Sequence, residues 1–286
     1  MKTKVKKLET AGIRNLRWQA VWGQTKTKVG LAIALIFVGV AIFAPALAPN
    51  DPLLVDVARK LEAPSSTYWL GTDQLGRCIA SRLIWGSRNS LFYSGMVLGL
   101  TLIVGVPIGL VSGYVGGRVD GFLMRVIDLF MAMPNFVVAL AIAGTLGASG
   151  KNLVISMSCV YWASYARLTR ALTIQVKEQN YMMALRAGGC THRRMIFRHV
   201  LKNISPSIIA LATMEVGTII LAIAGFSFIS LGVQPPTPEW GIMLSDCKNY
   251  IQTYPQLMVY PGVAIILVVM AFNLLGDGIK NGMSAK

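Results

Sequence analysis

The chain has 286 residues, 54% hydrophobic and only 14% charged, where soluble globular proteins carry roughly a quarter charged. That deficit, with several apolar runs of about twenty residues, excludes an ordinary soluble domain and puts the chain in the membrane class. A net charge of +15 would suggest nucleic acid in a soluble protein, but membrane proteins keep Lys and Arg in their cytoplasmic loops, so the distribution of the charge decides.

In chain order the apolar segments read as 29–48, 91–112, 122–146, 153–166, 207–232 and 257–275. All but the fourth are long enough to cross about 30 Å of hydrocarbon as a helix. The fourth is expected to continue through Arg167 to Leu172, with its arginines at the membrane surface. Lipid cannot satisfy the backbone of open strands, so the expected fold is an all-α integral membrane bundle of six transmembrane helices. Ala44-Pro45-Ala46-Leu47-Ala48 imitates a signal-peptide cleavage site. The 28 residues ahead of the run and Pro49 just after the cut argue that the span is retained.

Counting Lys and Arg sets the orientation. With the N-terminus inside, cytoplasmic pieces hold 8 in 1–28, 2 in 113–125, 8 in 167–203 and 2 after Asp277, which is 20 of the 27. The bias places both termini in the cytoplasm and makes the positive charge topological, which removes the nucleic-acid reading. The expected organisation is a basic segment 1–28, a first span 29–48, an extracytoplasmic segment 49–89, a five-helix core 90–278 with a cytoplasmic loop 167–203, and a tail 279–286. Trp69, Trp85 and Trp240 suit the role of interface anchors, and 235–240 reads as a rigid Pro-rich turn or an outer gate. Cys78, Cys159, Cys190 and Cys247 show no metal or redox spacing; Cys78 and Cys247 could both face outward, but nothing in the sequence argues that they pair.

The stretch from Tyr181 to Asn203 reads as a short helix, a bend at Gly188 and Gly189, and a second helix with Ile196 and Val200 on one side. Glycine permits the positive φ or the close approach that a sharp bend needs. A cationic helix pair tethered to spans at both ends can act as a lever for a docked partner, or rest as an amphipathic helix on anionic headgroups. The residues alone leave both readings open.

Two acidic residues lie well inside apolar segments, Asp128 and Glu215. An intramembrane charge costs about 2.5–3.5 kcal/mol on insertion scales, so such residues face the bundle interior or an aqueous path. Arg125, three residues before Asp128, is its expected partner. Glu215 has no basic neighbour at helical spacing; with Leu211, Thr218 and Ala222 it forms one stripe that suits a lined pathway or a site buried against another chain. Met214 and the other intramembrane methionines read first as packing material. His192 and His199 both sit in the loop, so no His cluster has metal-ligand spacing.

The loop resembles the coupling motif of binding-protein-dependent ABC importer permeases. Met183, Ala184 and Leu185 stand at its Glu-Ala-Ala positions, Gly189 at its glycine, and His199, Leu201, Lys202 and Asn203 at its His-x-Leu-Pro-Asn ending. Three positions depart from it: Met183 replaces the acid, Leu185 the third residue and Lys202 the proline. Leu70-Gly71-Thr72-Asp73-Gln74-Leu75-Gly76-Arg77, with Ser81-Arg82-Leu83 and Arg88-Asn89-Ser90-Leu91, is similar to the signature of C-type subunits in the dipeptide/oligopeptide/nickel permease family. So are the run from Ser227 to Gly241 and Phe272-Asn273-Leu274-Leu275-Gly276-Asp277.

The resemblance implies a type I ABC importer permease fold with a cytoplasmic coupling helix, in a bacterial cell membrane. Its implied partners are a second, homologous permease chain, two cytoplasmic ATPases and an extracytoplasmic solute-binding protein. The chain has no phosphate-binding Gly-x-x-x-x-Gly-Lys-Ser/Thr loop, so it is expected to bind no cofactor and to catalyse nothing, with ATP and Mg on the partners. The resemblance assigns ATPase coupling to Ala184, Arg186, Ala187, Gly188, Gly189, Ile196 and His199. A substrate path is expected at Glu215, Thr218, Met214 and Asp128. The stretches 118–128, 212–217 and 224–228 are more similar to the nickel branch than to the peptide branch, which implies nickel or another divalent metal, carried as a metallophore chelate. A di- or oligopeptide is the alternative substrate. A non-transporting scaffold or sensor is the alternative of another class; a channel is disfavoured because no filter sequence or charged pore lining is visible.

Overall fold

The computed structural model describes residues 20–284, so the first nineteen residues of the basic N-terminal segment and the last two of the tail lie outside the described residues. Within them the chain is helical, with long helices α1 (Thr25–Ile42), α3 (Ile79–Val115), α6 (Gly150–Lys177), α8 (His192–Phe228) and α10 (Gln256–Ser284). Shorter helices are α2 (Ala44–Leu47), α4 (Gly117–Met131), α5 (Asn135–Leu146), α7 (Asn180–Ala187) and α9 (Trp240–Cys247).

Four of these, α1, α3, α8 and α10, are long and apolar enough to cross a membrane, and the α4–α5 pair taken together makes a fifth. The predicted single span 122–146 is thus broken: α4 and α5 meet at 81°. Pro134 sits at that break, where it has no N–H to donate and disfavours helical backbone at Met133. The sixth expected span is α6. At 28 residues it is about 42 Å long, so it falls short in apolarity and not in length. Its polar residues explain this: Ser156, Tyr165, Thr169 and Thr173 are buried against protein and never meet lipid.

α3 shows the same effect at its N-terminal end. It starts at Ile79, well ahead of the predicted 91, because Ser81, Arg82, Ser87 and Ser90 are buried polar residues that disguise a helix as a loop. Along its C-terminal half, Gly105, Gly109 and Gly113 face α6. A Cβ on Gly105 would lie 2.6 Å from the Trp162 carbonyl, one on Gly109 2.4 Å from that of Ala166, and one on Gly113 2.7 Å from that of Arg170. Small residues every fourth position let two membrane helices approach backbone to backbone, where packing must replace the hydrophobic effect. α10 uses the same device between two neighbours: Gly30 of α1 meets its Ala271 and Leu275 backbone, and its Gly276 meets Met214 of α8.

α1 leaves its opposite face uncovered, with Leu35, Ile36 and Ile42 exposed while Gly30, Ala34 and Ala41 are buried. The core divides into a central cluster around Met157, Val160, Ile219, Ile223 and Phe226, one around Trp240, Ile220 and Val268 at the end that the Lys and Arg distribution predicts to be outer, and one around Leu110, Tyr114, Met182, Met195 and Ile204 at the end it predicts to be inner.

Candidate functional site

On the inner side, α6 ends at Lys177 and α7 follows after two residues. α7 ends in a Schellman motif: the Cys190 N–H donates to the Leu185 carbonyl at 3.0 Å and the Gly189 N–H to that of Arg186 at 3.1 Å. The two glycines differ. Gly189 has φ +76° and occupies the left-handed position that favours glycine, whereas Gly188 has φ −77° and ordinary backbone. The bend is therefore a one-glycine bend.

The hairpin formed by α7 and the start of α8 is pinned by two buried methionines, Met182 and Met195, which sit in the inner cluster with Leu110 and Val176. Tyr114, at the end of α3, ties the end of α6 to the start of α8. Its carbonyl accepts from Lys177 Nζ at 2.7 Å, and its hydroxyl lies 2.7 Å from His192 Nδ1 and 3.5 Å from Met195 Sδ. Both hydroxyl contacts are satisfied together when His192 carries the Nδ1 proton. Asn203 Nδ2 donates to the Tyr181 hydroxyl at 2.6 Å, and the Tyr181 and His199 rings are 6.5 Å apart, so the motif's last residue ties the two arms together. Burial pushes the Tyr181 hydroxyl up from its ordinary range, which keeps it protonated.

Ala184, Arg186, Ala187, Gly188 and Gly189 form one exposed patch, extended by Met183 and Phe197, while Ile196 and His199 are half-buried. Residues 195–200 form a π-helical turn in α8, a feature that recurs at functional sites. The arrangement is a thin platform with apolar side chains facing out and its anchors facing in.

The outer side is built differently. Asp73, Arg77, Arg82 and Asp246 form a buried network: Arg77 Nε lies 2.6 Å from Asp73 Oδ2 and Arg77 Nη2 2.8 Å from Asp246 Oδ2, with Arg82 3.5 and 3.4 Å from the same two oxygens. The Arg82 side chain is 1% exposed. Two positive and two negative charges cancel, which makes their burial affordable. Next to it, Glu239 caps α9 by accepting from the Gly241 and Ile242 N–H groups and from Ser90 Oγ, while Asn89 Nδ2 donates to the Pro238 carbonyl. Trp240, expected at the lipid interface, is instead 1% exposed; its Nε1 donates to the Leu83 carbonyl and its ring fills the space over Gly86. Two motifs far apart in sequence, 70–91 and 227–241, thus make one structure. Cys78 and Cys247 are both buried free thiols. Burial and then the Asp246 and Asp73 carboxylates push the Cys247 thiol up to about 12, so it stays protonated and unreactive.

The four residues expected to line a path do not stay together. Asp128 pairs with Arg167 of α6, not with Arg125, and its side chain is 63% exposed. It works with Asp120, whose carboxylate takes Arg170 Nε at 2.5 Å and Nη2 at 2.6 Å; the two pairs strap α4 onto α6. Met214 packs on Gly276 of α10. Glu215 and Thr218 lie on another side of α8, half-buried and exposed respectively. Among the described residues no three His, Cys, Asp or Glu side chains converge as a metal site.

Sequence reasoning missed Tyr114, the charge network and the Gly105–Gly109–Gly113 stripe. The stripe was readable from its spacing; the partner of Arg77 and Arg82, more than 160 residues away, was not.

Residues 105–285, from the middle of α3 through α10, match the family model of the binding-protein-dependent transport system inner membrane component. The chain belongs to this family. As such a component it is a multi-pass membrane protein, and its relatives are permease proteins of transport systems. It is 38% identical over 273 residues to a dipeptide transport system permease protein of Alkalihalophilus pseudofirmus, covering 94% of this chain and 90% of the relative. It is 39% identical over 254 residues to the nickel transport system permease protein of Escherichia coli K12, covering 89% and 92%. A glutathione transport system permease protein of Pectobacterium atrosepticum is 34% identical, over 94% and 91%. In structure the chain is similar to an inward-facing form of the MetNI methionine ABC transporter, with a TM-score of 0.57, 14% identity, and coverage of 71% of this chain and 96% of that one. The fold is that of a type I ABC importer permease.

Proposed function

We propose that this component forms the membrane pathway of an ATP-driven importer together with a second, homologous permease chain. Two cytoplasmic ATPases carry ATP and Mg, an extracytoplasmic solute-binding protein delivers the solute, and both termini lie in the cytoplasm of a bacterial cell. This chain binds no nucleotide or cofactor and catalyses no reaction.

The observation that carries the proposal is the exposed patch 183–189 on a hairpin anchored at Met182 and Met195 to the inner ends of α3, α6 and α8. Such a platform takes up the movement of a docked protein and passes it to the spans, because its anchors belong to their packed core. Closure of the ATPases moves Ala184, Arg186, Ala187, Gly188, Gly189, Ile196 and His199 as one body, and the spans follow to admit solute from outside.

The proposed solute is nickel or another divalent metal as a chelate with a small metallophore. The resemblance at 212–217 and the 39% identity to a nickel permease support it. A dipeptide is the second reading, supported by the 38% identity to a dipeptide permease. Radioactive nickel uptake in cells with and without this chain, in the presence of the chelator and of competing dipeptides, tests the choice. Loss of nickel uptake that dipeptides do not compete is the expected result; intact nickel uptake with lost dipeptide uptake would overturn it.

A further inference from the structure

The buried charge network of Asp73, Arg77, Arg82 and Asp246 is one bond short. The carboxylate oxygens that face the two arginines are already taken. Asp73 Oδ1 accepts from the Leu75 and Arg77 N–H groups and Asp73 Oδ2 from Arg77 Nε, while Asp246 Oδ2 accepts from Nη2 of both arginines. Arg82 Nη1 is left with no partner among the described residues, although the side chain is 1% exposed. A guanidinium carries only donors, so this nitrogen needs an acceptor. Gln74 Oε1 is a second buried polar atom without a partner among the described residues, and a carbonyl oxygen needs a donor. Leaving either unbonded away from water is costly.

Both residues line one small cavity, together with Asp73, Asp246, Met243 and Leu257. It lies where the start of α3 meets α9 and the first turn of α10. The lining narrows the guest. Arg82 offers a donor and Gln74 an acceptor, so the guest must accept and donate at once. An anion would suit Arg82 but would meet Gln74 Oε1 and two carboxylates, and a metal ion would meet a guanidinium. The cavity volume is about 10 Å3, close to the least that one water needs and too little for two. Buried waters of this kind each bond two to four otherwise unsatisfied polar groups. The Asp246 side chain is 22% exposed, so the cavity borders a wall that reaches the surface.

We infer that this cavity is a binding site for one ordered water, which accepts from Arg82 Nη1 and donates to Gln74 Oε1. Its second hydrogen is available to a carboxylate of Asp73 or Asp246 on the same lining. The water thereby joins Gln74, in the middle of the 70–77 motif, to the charge pairs that hold Asp246 of α9. The network is a five-membered structure whose fifth member is solvent. The site follows from the fold and depends neither on the importer reading nor on the solute.

The test is an electron-density map of the complete transporter, at a resolution that shows water, from crystals soaked in bromide. A water peak is expected within about 3.2 Å of both Arg82 Nη1 and Gln74 Oε1, with no anomalous signal from bromide. Gln74→Leu removes the acceptor and should abolish the peak, while the pairs of Arg77 and Arg82 with Asp246 stay in place. A second readout works in solution, where hydroxyl radicals generated from water by X-rays oxidise methionines that touch a held water. Met243 lines the cavity and is 5% exposed; it should be labelled several-fold faster than Met157, which is 0% exposed in the apolar central cluster. Gln74→Leu should bring Met243 down toward the Met157 rate. A bromide signal in the cavity would make it an anion site and overturn the inference. A direct bond from Arg82 Nη1 to Gln74 Oε1 across a closed cavity would do the same. So would an empty cavity beside a Met243 that is labelled no faster than Met157.

Discussion

The two ends of the molecule solve opposite problems. On the outer side, Arg77 and Arg82 bond to Asp246, Ser90 bonds to Glu239 and Trp240 bonds to the Leu83 carbonyl, each across more than 140 residues of chain. On the inner side, the hairpin around Gly189 turns Met183, Ala184, Ala187 and Phe197 out to its surroundings and keeps only a thin set of anchors. The long-range bonds of the outer end are made within this chain, although Arg82 Nη1 and Gln74 Oε1 keep no partner among the described residues, whereas the inner end presents an exposed surface. Damage to the first should appear as lost folding, and damage to the second as lost transport in a folded protein.

The largest effect is expected from Arg82→Met. Removing one member of a buried charge network leaves carboxylates uncompensated, a loss of about 3–5 kcal/mol. Thermal unfolding of the purified protein in detergent should show a strongly lowered midpoint or no folded material. An unchanged midpoint would mean that the network does not hold the outer end together.

Gly109→Ala comes next. Its new Cβ would sit 2.4 Å from the Ala166 carbonyl and 2.6 Å from Thr169 Cβ; the first is backbone and cannot move aside cheaply. Forcing α3 and α6 apart should cost about 1–3 kcal/mol, read in the same unfolding assay, with Gly99→Ala, which meets nothing within 4 Å, as the control.

Gly189→Val should have the smallest effect on stability. Nothing lies within 4 Å of the added Cβ, so the penalty is confined to the left-handed backbone, about 1–2 kcal/mol. Uptake should nevertheless be abolished, because the bend sets the angle between the two arms. Gly189→Asn, which tolerates that backbone, should retain most of it. If the Asn and Val variants transport alike, the bend is not what matters.

The same contrast explains what could be read from the sequence. The spans α1, α8 and α10 were legible because lipid-facing helices must be apolar. α6 was legible only as its apolar stretch 153–166 with a continuation to Leu172, and the first turns of α3 were missed, since residues such as Ser81, Arg82 and Thr169 are polar yet buried against protein. The hairpin was legible as a motif, and Gly189 fulfils the conformational reason given for it. The separation of Gly188 from that role needed the backbone angles. Asp128 was assigned its nearest basic residue, Arg125, because local spacing is all that a sequence offers; the Asp128–Arg167 pair depends on how α4 folds back on α6.

The central claim is that the patch 183–189 is where an ATPase docks, and cross-linking tests it most directly. A cysteine placed at Ala187, in a Cys190→Ser background to remove the neighbouring thiol, would be treated with a short bifunctional thiol reagent in membranes containing the whole transporter. The ATPases would carry single engineered cysteines over their membrane-facing surface. The account predicts a cross-link between Ala187→Cys and an ATPase subunit whose yield changes when ATP is added. Absence of any such cross-link, in membranes where ATP-dependent uptake is intact, would contradict it.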